Sequence, residues 1–179
     1  MEKREALEKL KREMEEDRTL PLYGTANLVF GEGNPDAAVL FIGEAPGFHE
    51  DRLSRPFVGR AGQLLDKLFA MIKWPRESVY ITNILKRRPP ENRDPLPEEI
   101  AAYRPYLESQ IEIINPKMIA ALGRFAMNYF LPDAKISRDR GRAAWAGEYL
   151  VLPLYHPAAA LRSTQVLKDL EADFKKLPE

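Results

Sequence analysis

The chain has 179 residues, and its 27 lysines and arginines are balanced by 27 aspartates and glutamates. That length suits one domain with a real core, and the charge balance excludes a global basic field, so any nucleic-acid contact must come from a local patch. There is no cysteine, which excludes disulfides, thiol catalysis and all-cysteine metal centres, and the two histidines, His49 and His156, cannot alone fill a structural zinc site.

The predicted elements alternate. The start, Met1-Glu2-Lys3-Arg4, is charged and lacks an apolar signal core. Leu7, Leu10 and Met14 recur at helical spacing, so residues 1–16 read as an amphipathic helix. Residues 18–36 are rich in glycine and proline and read as a loop-rich lead-in with a short extended segment. Strand 37–42 empties into a long loop over 43–60, and a helix follows from Gly62 to about Lys73. Strand 79–81 ends at Thr82-Asn83, and 86–97 form a proline-rich basic loop. The helix 97–114 opens on Pro97, with Glu98 and Glu99 suiting its N-terminal dipole. Strand 118–122, a helix to Phe130, an irregular basic stretch over 136–147, strand 149–154 and a last helix over 163–176 complete the pattern. It predicts an α/β fold over 1–179: a three-layer α/β/α sandwich around a central, mainly parallel four-stranded sheet. No apolar run nears the roughly 20 residues that span a bilayer. The expectation is a soluble, cytoplasmic monomer with no membrane contact.

Three polar segments follow strands: Gly43-Glu44-Ala45-Pro46-Gly47, Thr82-Asn83 and His156-Pro157. Loops at strand ends are where an α/β protein places a ligand. The Asn83 amide offers a donor and an acceptor in one plane, which suits the O4/N3–H edge of uracil; it also suits a turn. His156, fixed by the following proline, can donate a hydrogen bond to a developing oxyanion or serve structurally. Phe57 is an apolar ring in a polar loop, suited to stacking on a base or to anchoring the loop. Glu44, Glu50 and Asp51 are carboxylates able to orient water or to steady a cationic sugar; His49 reads as a surface residue. Arg60, Lys86, Arg88, Arg93 and Arg162 belong to a set of loop cations that makes a phosphate-binding edge if the loops share one rim.

Taken in order, these pieces resemble the family 4 uracil-DNA glycosylases. The matching residues are Gly43-Glu44-Ala45-Pro46-Gly47, Glu50-Asp51, Arg55-Pro56-Phe57-Val58-Gly59-Arg60-Ala61-Gly62 and Tyr80-Ile81-Thr82-Asn83. They continue with Arg88-Pro89-Pro90, Asn92-Arg93, Pro95, Ala121-Leu122-Gly123 and His156-Pro157, and they cover about residues 20–175. The resemblance implies excision of uracil from single- or double-stranded DNA in base excision repair, with free uracil and an abasic site as products. It implies a pocket of Gly43, Glu44, Ala45, Gly47, Phe57, Asn83 and His156. Phe57 would stack on uracil, Asn83 would read its polar edge, His156 would bond O2, and Gly47 would leave room beside the base. Ala45 stands where other branches carry a catalytic aspartate, so the catalytic set is read as His156 with Glu50, and Glu44 second, as the water-handling carboxylate. Leu161 is expected to wedge into the duplex gap beside Arg162.

One departure stands out. The family holds a four-iron, four-sulfur cluster on four cysteines, and the aligned positions here are Asp17, Leu20, Arg87 and Tyr103. None offers a thiolate, so no cofactor is expected. The replacements suggest an Asp17–Arg87 ion pair and Leu20–Tyr103 packing that tie the N-terminal helix to the proline-rich loop. Two alternatives share the scaffold: a non-catalytic uracil- or DNA-binding relative, and a glycosylase for hypoxanthine or xanthine.

Overall fold

The computed structural model describes residues 2–178. In chain order its elements are α1 (Lys3–Glu16), β1 (Glu32–Gly33), β2 (Val39–Gly43), α2 (Phe48–Leu53), α3 (Arg60–Met71), β3 (Tyr80–Asn83), α4 (Pro97–Ile114) and β4 (Met118–Leu122). Then come α5 (Arg124–Phe130), α6 (Ile136–Asp139), β5 (Ala144–Ala146), β6 (Tyr149–Leu154), α7 (Pro157–Ala160) and α8 (Thr164–Phe174).

The sheet has six strands in the order β1-β3-β2-β4-β6-β5, not the four expected. The four expected strands form its parallel centre. Two short antiparallel edges close it, β1 on β3 and β5 on β6. β1, the dipeptide Glu32-Gly33, falls in the lead-in where a short extended segment is expected, whereas β5 lies in the stretch expected to be irregular; neither carries a buried apolar run. The long loop over 43–60 holds α2, a helix with no buried residue, and the irregular stretch over 136–147 holds α6 and β5. Short elements without an apolar stripe leave no periodic signal.

Alternation along the strands builds the layers. Leu40 and Ile42 face one side, where Leu7, Leu10 and Met14 of α1 and Leu107 and Ile111 of α4 pack on them. Val39 and Phe41 face the other, against Leu65, Leu68 and Phe69 of α3 and Leu170 and Phe174 of α8. Strands buried on both faces read as continuous apolar runs, as β2 does. α4 matches its expected span: the Glu99 carboxylate accepts the Leu96 amide at 2.8 Å, and Asn115 ends the helix in the left-handed region.

Parallel pairing fixes the outcome that matters for function. Gly43 lies opposite Asn83 and Leu122 opposite Leu154, so the carboxyl ends of β2, β3, β4 and β6 share one edge of the sheet. The segments after each strand meet there.

Candidate functional site

A cavity of about 450 Å³ opens at this edge, and Glu44, Phe57, Asn83 and His156 line it. A hollow of about 500 Å³ lies beside Trp145 and β5, away from the strand ends, and gathers none of these groups.

Asn83 closes β3 with its side chain 2% exposed. Its Oδ1 is buried and has no hydrogen-bond partner. Buried amide oxygens are normally paired, so this one, in the cavity wall, is an exception. Gly43 makes room for it: a Cβ there would sit 2.6 Å from Asn83 Oδ1 and 2.7 Å from the Phe57 ring.

Phe57 is 5% exposed, with φ +50, a left-handed backbone unusual for a non-glycine residue. Two contacts hold it there. Arg76 donates to the Phe57 carbonyl at 3.0 Å and to the Pro56 carbonyl at 2.6 Å. Gly62 lets α3 approach so closely that a Cβ would lie 1.9 Å from the Phe57 oxygen. The Phe57 ring stacks near His156, with centroids 5.5 Å apart and planes at 28°.

His156 caps α7 with its ring. Nδ1 accepts the Ala158 amide at 3.0 Å, and Pro157 takes the first helical position. A neutral imidazole whose Nδ1 accepts must carry its proton on Nε2. Burial holds the ring neutral, pushing its pKa down to about 4, with nearby Glu50 opposing. The Nε2–H is then available as a neutral donor.

Glu50 sits at the start of α2 and binds both arms of the loop. One carboxylate oxygen accepts from Gly47 N at 3.2 Å, and the other from Val58 N at 2.8 Å and Gly59 N at 2.6 Å. A Cβ on Gly47 would meet that carboxylate at 2.9 Å, so Gly47 makes room for Glu50. Glu44 also lines the cavity beside Ala45. Burial, then the Asp94 carboxylate, raises its pKa, while Arg124 opposes.

The expected basic rim divides. Arg60, Arg162 and Leu161 are exposed at the cavity mouth, and neither arginine forms an ion pair among the described residues. Leu161 is 41% exposed, an apolar side chain presented to solvent. Arg88 binds Asn92 Oδ1 at 2.6 Å, and Arg93 forms a two-pronged pair with Glu99 at 2.8 and 2.9 Å. Lys86 is a correction. It is fully buried and donates to Thr82 Oγ1 and, at 2.7 Å, to Gln110 Oε1, so it cannot touch a phosphate. Burial lowers its pKa well below the ordinary lysine range. His49 is exposed, as expected.

The aligned cluster positions form a different network from the expected one. Arg87 donates to the Tyr103 hydroxyl at 2.9 Å, and that hydroxyl donates to the Pro21 carbonyl at 2.7 Å. Asp17 accepts from Tyr106 at 2.5 Å and from Thr19, so the expected Asp17–Arg87 pair does not form. Tyr106 outcompetes Arg87 because it projects from α4 toward the end of α1, while Arg87 turns inward to Tyr103. Leu20 and Tyr103 are both buried in one apolar cluster. With no thiolate in the donor set, these residues do not fit an iron–sulfur cluster. Among the described residues no group of three or more histidine, aspartate or glutamate side chains is placed to hold a metal ion.

The sequence model described as the Uracil DNA glycosylase superfamily matches residues 30–177. A type-4 uracil-DNA glycosylase of Archaeoglobus fulgidus is 44% identical over 98% of this chain and 93% of its own length. The chain belongs to the type-4 family of uracil-DNA glycosylases. A type-4 uracil-DNA glycosylase of Sulfurisphaera tokodaii is also 44% identical, over 98% of this chain and 84% of its own length. One of Thermotoga maritima is 46% identical over 84% of both chains. The chain has no cysteine at any of its 179 positions.

Arg76 and Asp66 had no local signal in the sequence, and Asp51, read there as a carboxylate for water or the sugar, takes a supporting place instead. Arg76 reaches Phe57 from 19 residues away, and Asp66 pairs with Arg76 at 2.8 Å. Asp51 holds the lead-in through the Asn27 amide at 2.7 Å. Their partners are decided by tertiary folding.

Proposed function

We propose that this chain hydrolyses the N-glycosidic bond of uracil in DNA, leaving an abasic site, and that Asn83, Phe57 and His156 carry the recognition and the chemistry. The unpaired, buried Asn83 Oδ1 is the observation that carries this reading. Uracil extruded from the stack offers N3–H to that oxygen and O4 to the amide nitrogen. Cytosine presents the opposite order and leaves buried polar groups mispaired. Phe57 supplies a flat apolar wall, positioned by Arg76 and Gly62.

Departure of the base builds negative charge on uracil and positive charge on the sugar. His156 donates Nε2–H toward O2, where charge develops, and its low pKa keeps it a neutral donor rather than a proton source. A single preorganised donor of this kind is worth about 3–4 kcal/mol of barrier. Water then attacks the cationic sugar carbon from the face opposite the departing base, and its proton passes to solvent, from which the uracil anion takes one to leave as neutral uracil. Ala45 has no group to take that proton. Glu50 already accepts three amides, so we assign it to holding the loop, with Glu44 the remaining carboxylate at the cavity. Leaving-group stabilisation therefore dominates. Arg60 and Arg162 receive flanking phosphates, and Leu161 fills the gap left by the flipped base. No cofactor enters. The site is complete within one chain, which supports action as a monomer, and no helix among the described residues is long and apolar enough to cross a membrane.

The test is uracil release from single- and double-stranded oligonucleotides, wild type beside Asn83→Ala, with hypoxanthine and xanthine substrates in parallel. Asn83→Ala should lose at least about 100-fold on uracil. Release at the wild-type rate would remove Asn83 from recognition, and preference for a deaminated purine would redirect the substrate.

A further inference from the structure

Helix α2 buries none of its residues, yet it is tightly held. Glu50 ties its first turn to Gly47, Val58 and Gly59, and Asp51 accepts the Asn27 amide while its carbonyl accepts the Asn27 side chain at 2.9 Å. The first residue of this rigid surface helix is Phe48, which is 56% exposed. An aromatic ring left in water on a fixed support has given up burial without gaining freedom. Its neighbours are polar or cationic. The Arg88 guanidinium lies 5.6 Å from the ring centroid and is itself steadied by Asn92. The His49 ring meets it edge-on at 5.3 Å.

Phe48 lines the mouth of the cavity whose interior holds Phe57 and Asn83. Arg60 and Arg162 are at the same mouth, and so is the exposed Leu161. Aromatic rings alternating with cations are the composition of single-strand nucleic-acid tracks, in which the ring takes a base face and the cations take the phosphates. Phe57 is buried and already assigned to uracil, so Phe48 is left for a different base.

We propose that Phe48 is a stacking platform for the nucleobase next to the flipped uridine. It forms a second base subsite outside the uracil pocket, with Arg88 behind the ring. This rests on the glycosylase reading above. Stacking on any base face tolerates every sequence, so the subsite raises affinity for DNA without selecting a neighbour. It acts on the bound strand and takes no part in bond cleavage.

The experiment uses the intact chain and single-stranded oligonucleotides with one uracil and 2-aminopurine immediately 5′ or 3′ of it. Uracil release is followed together with 2-aminopurine fluorescence. Phe48→Ala should raise KM on the order of tenfold, the scale of one base–aromatic stack, leave kcat near wild type, and abolish the fluorescence change seen with one of the two probes. Phe48→Trp should restore both KM and the fluorescence signal. Because the ring is exposed, neither change removes core packing. An unchanged KM for Phe48→Ala, or a loss confined to kcat, overturns the platform while uracil release by the wild type upholds the glycosylase. No release by the wild type overturns the glycosylase reading and the platform with it.

Discussion

The cavity at the strand ends and the region around Tyr103 both place polar side chains against the core, and they differ in how those side chains are paired. Around Tyr103 most of the groups bind one another, although Arg87 Nε is buried without a partner. The Tyr103 hydroxyl has both a donor and an acceptor partner, and the Asp17 carboxylate has three donors, the Thr19 amide and hydroxyl and the Tyr106 hydroxyl. In the pocket, Asn83 Oδ1 has no partner, and the His156 ring is bonded only through Nδ1. A buried polar group left unpaired costs about 1–3 kcal/mol. A fold tolerates that cost where a ligand removes it. The first region holds the chain together, and the second is held open by supports such as Glu50 and Arg76. Changes in the two regions should therefore separate: pocket changes should reduce turnover, and changes around Tyr103 should reduce stability.

The largest expected effect is on turnover. His156→Ala should lower kcat about 100- to 1,000-fold, with the urea midpoint moving far less, as read by uracil release and denaturation on the same preparation. Glu50→Ala tests the support. Three amides lose a charged acceptor, so unfolding free energy should fall by about 3 kcal/mol, and release should fall with it. A Glu50→Ala protein of unchanged stability with lost turnover would return Glu50 to water activation.

The pH dependence sharpens the same contrast. The folded His156 pKa, about 4, lies below the ordinary value of 6.5, so the unfolded state takes up the proton first. The stability it contributes is complete above pH 6.5 and declines as pH falls toward 4. The neutral Nε2–H donor persists over that span. Turnover should thus show no His156 limb between pH 5.5 and 8 and should fall as pH approaches 4, which a pH–rate profile with a matched stability series will check.

Changes around Tyr103 should be smaller and purely structural. Tyr103→Phe removes the bonds from Arg87 and to Pro21, and should cost about 1–2 kcal/mol while leaving kcat at 25 °C unchanged. Prolonged treatment with an iron chelator should move neither the melting temperature nor the rate. The smallest effect is electrostatic: Arg162→Gln should reduce the slope of log affinity against log salt by about one, measured by fluorescence anisotropy on uracil-containing DNA.

Much of this architecture was legible in the residues. The apolar runs of β2, β3, β4 and β6 are continuous because parallel strands are buried on both faces, and α4 carried its own start signals at Pro97, Glu98 and Glu99. That Phe57, Asn83 and His156 would line one cavity was legible because each stands beside a strand end or in an ordered motif. The edge strand β5, the helix α2 and the pairing of β1 with β3 were not, because short exposed elements have no periodicity to read.

What the sequence determined by itself was the set of layers, the order of the strands along the chain and the residue types able to meet at their carboxyl ends. Only the tertiary structure decided which polar groups are already partnered. Lys86 looks from its neighbours like a rim cation, but the turn of chain after β3 buries it against Gln110 of α4. Asp17 and Arg87 look like an ion pair, but Tyr106 and Tyr103 reach them first. Hydrogen bonds form between groups that folding brings within about 3 Å. Spacing along the chain says which groups exist, while three-dimensional proximity says which are paired and which, like Asn83 Oδ1, are not.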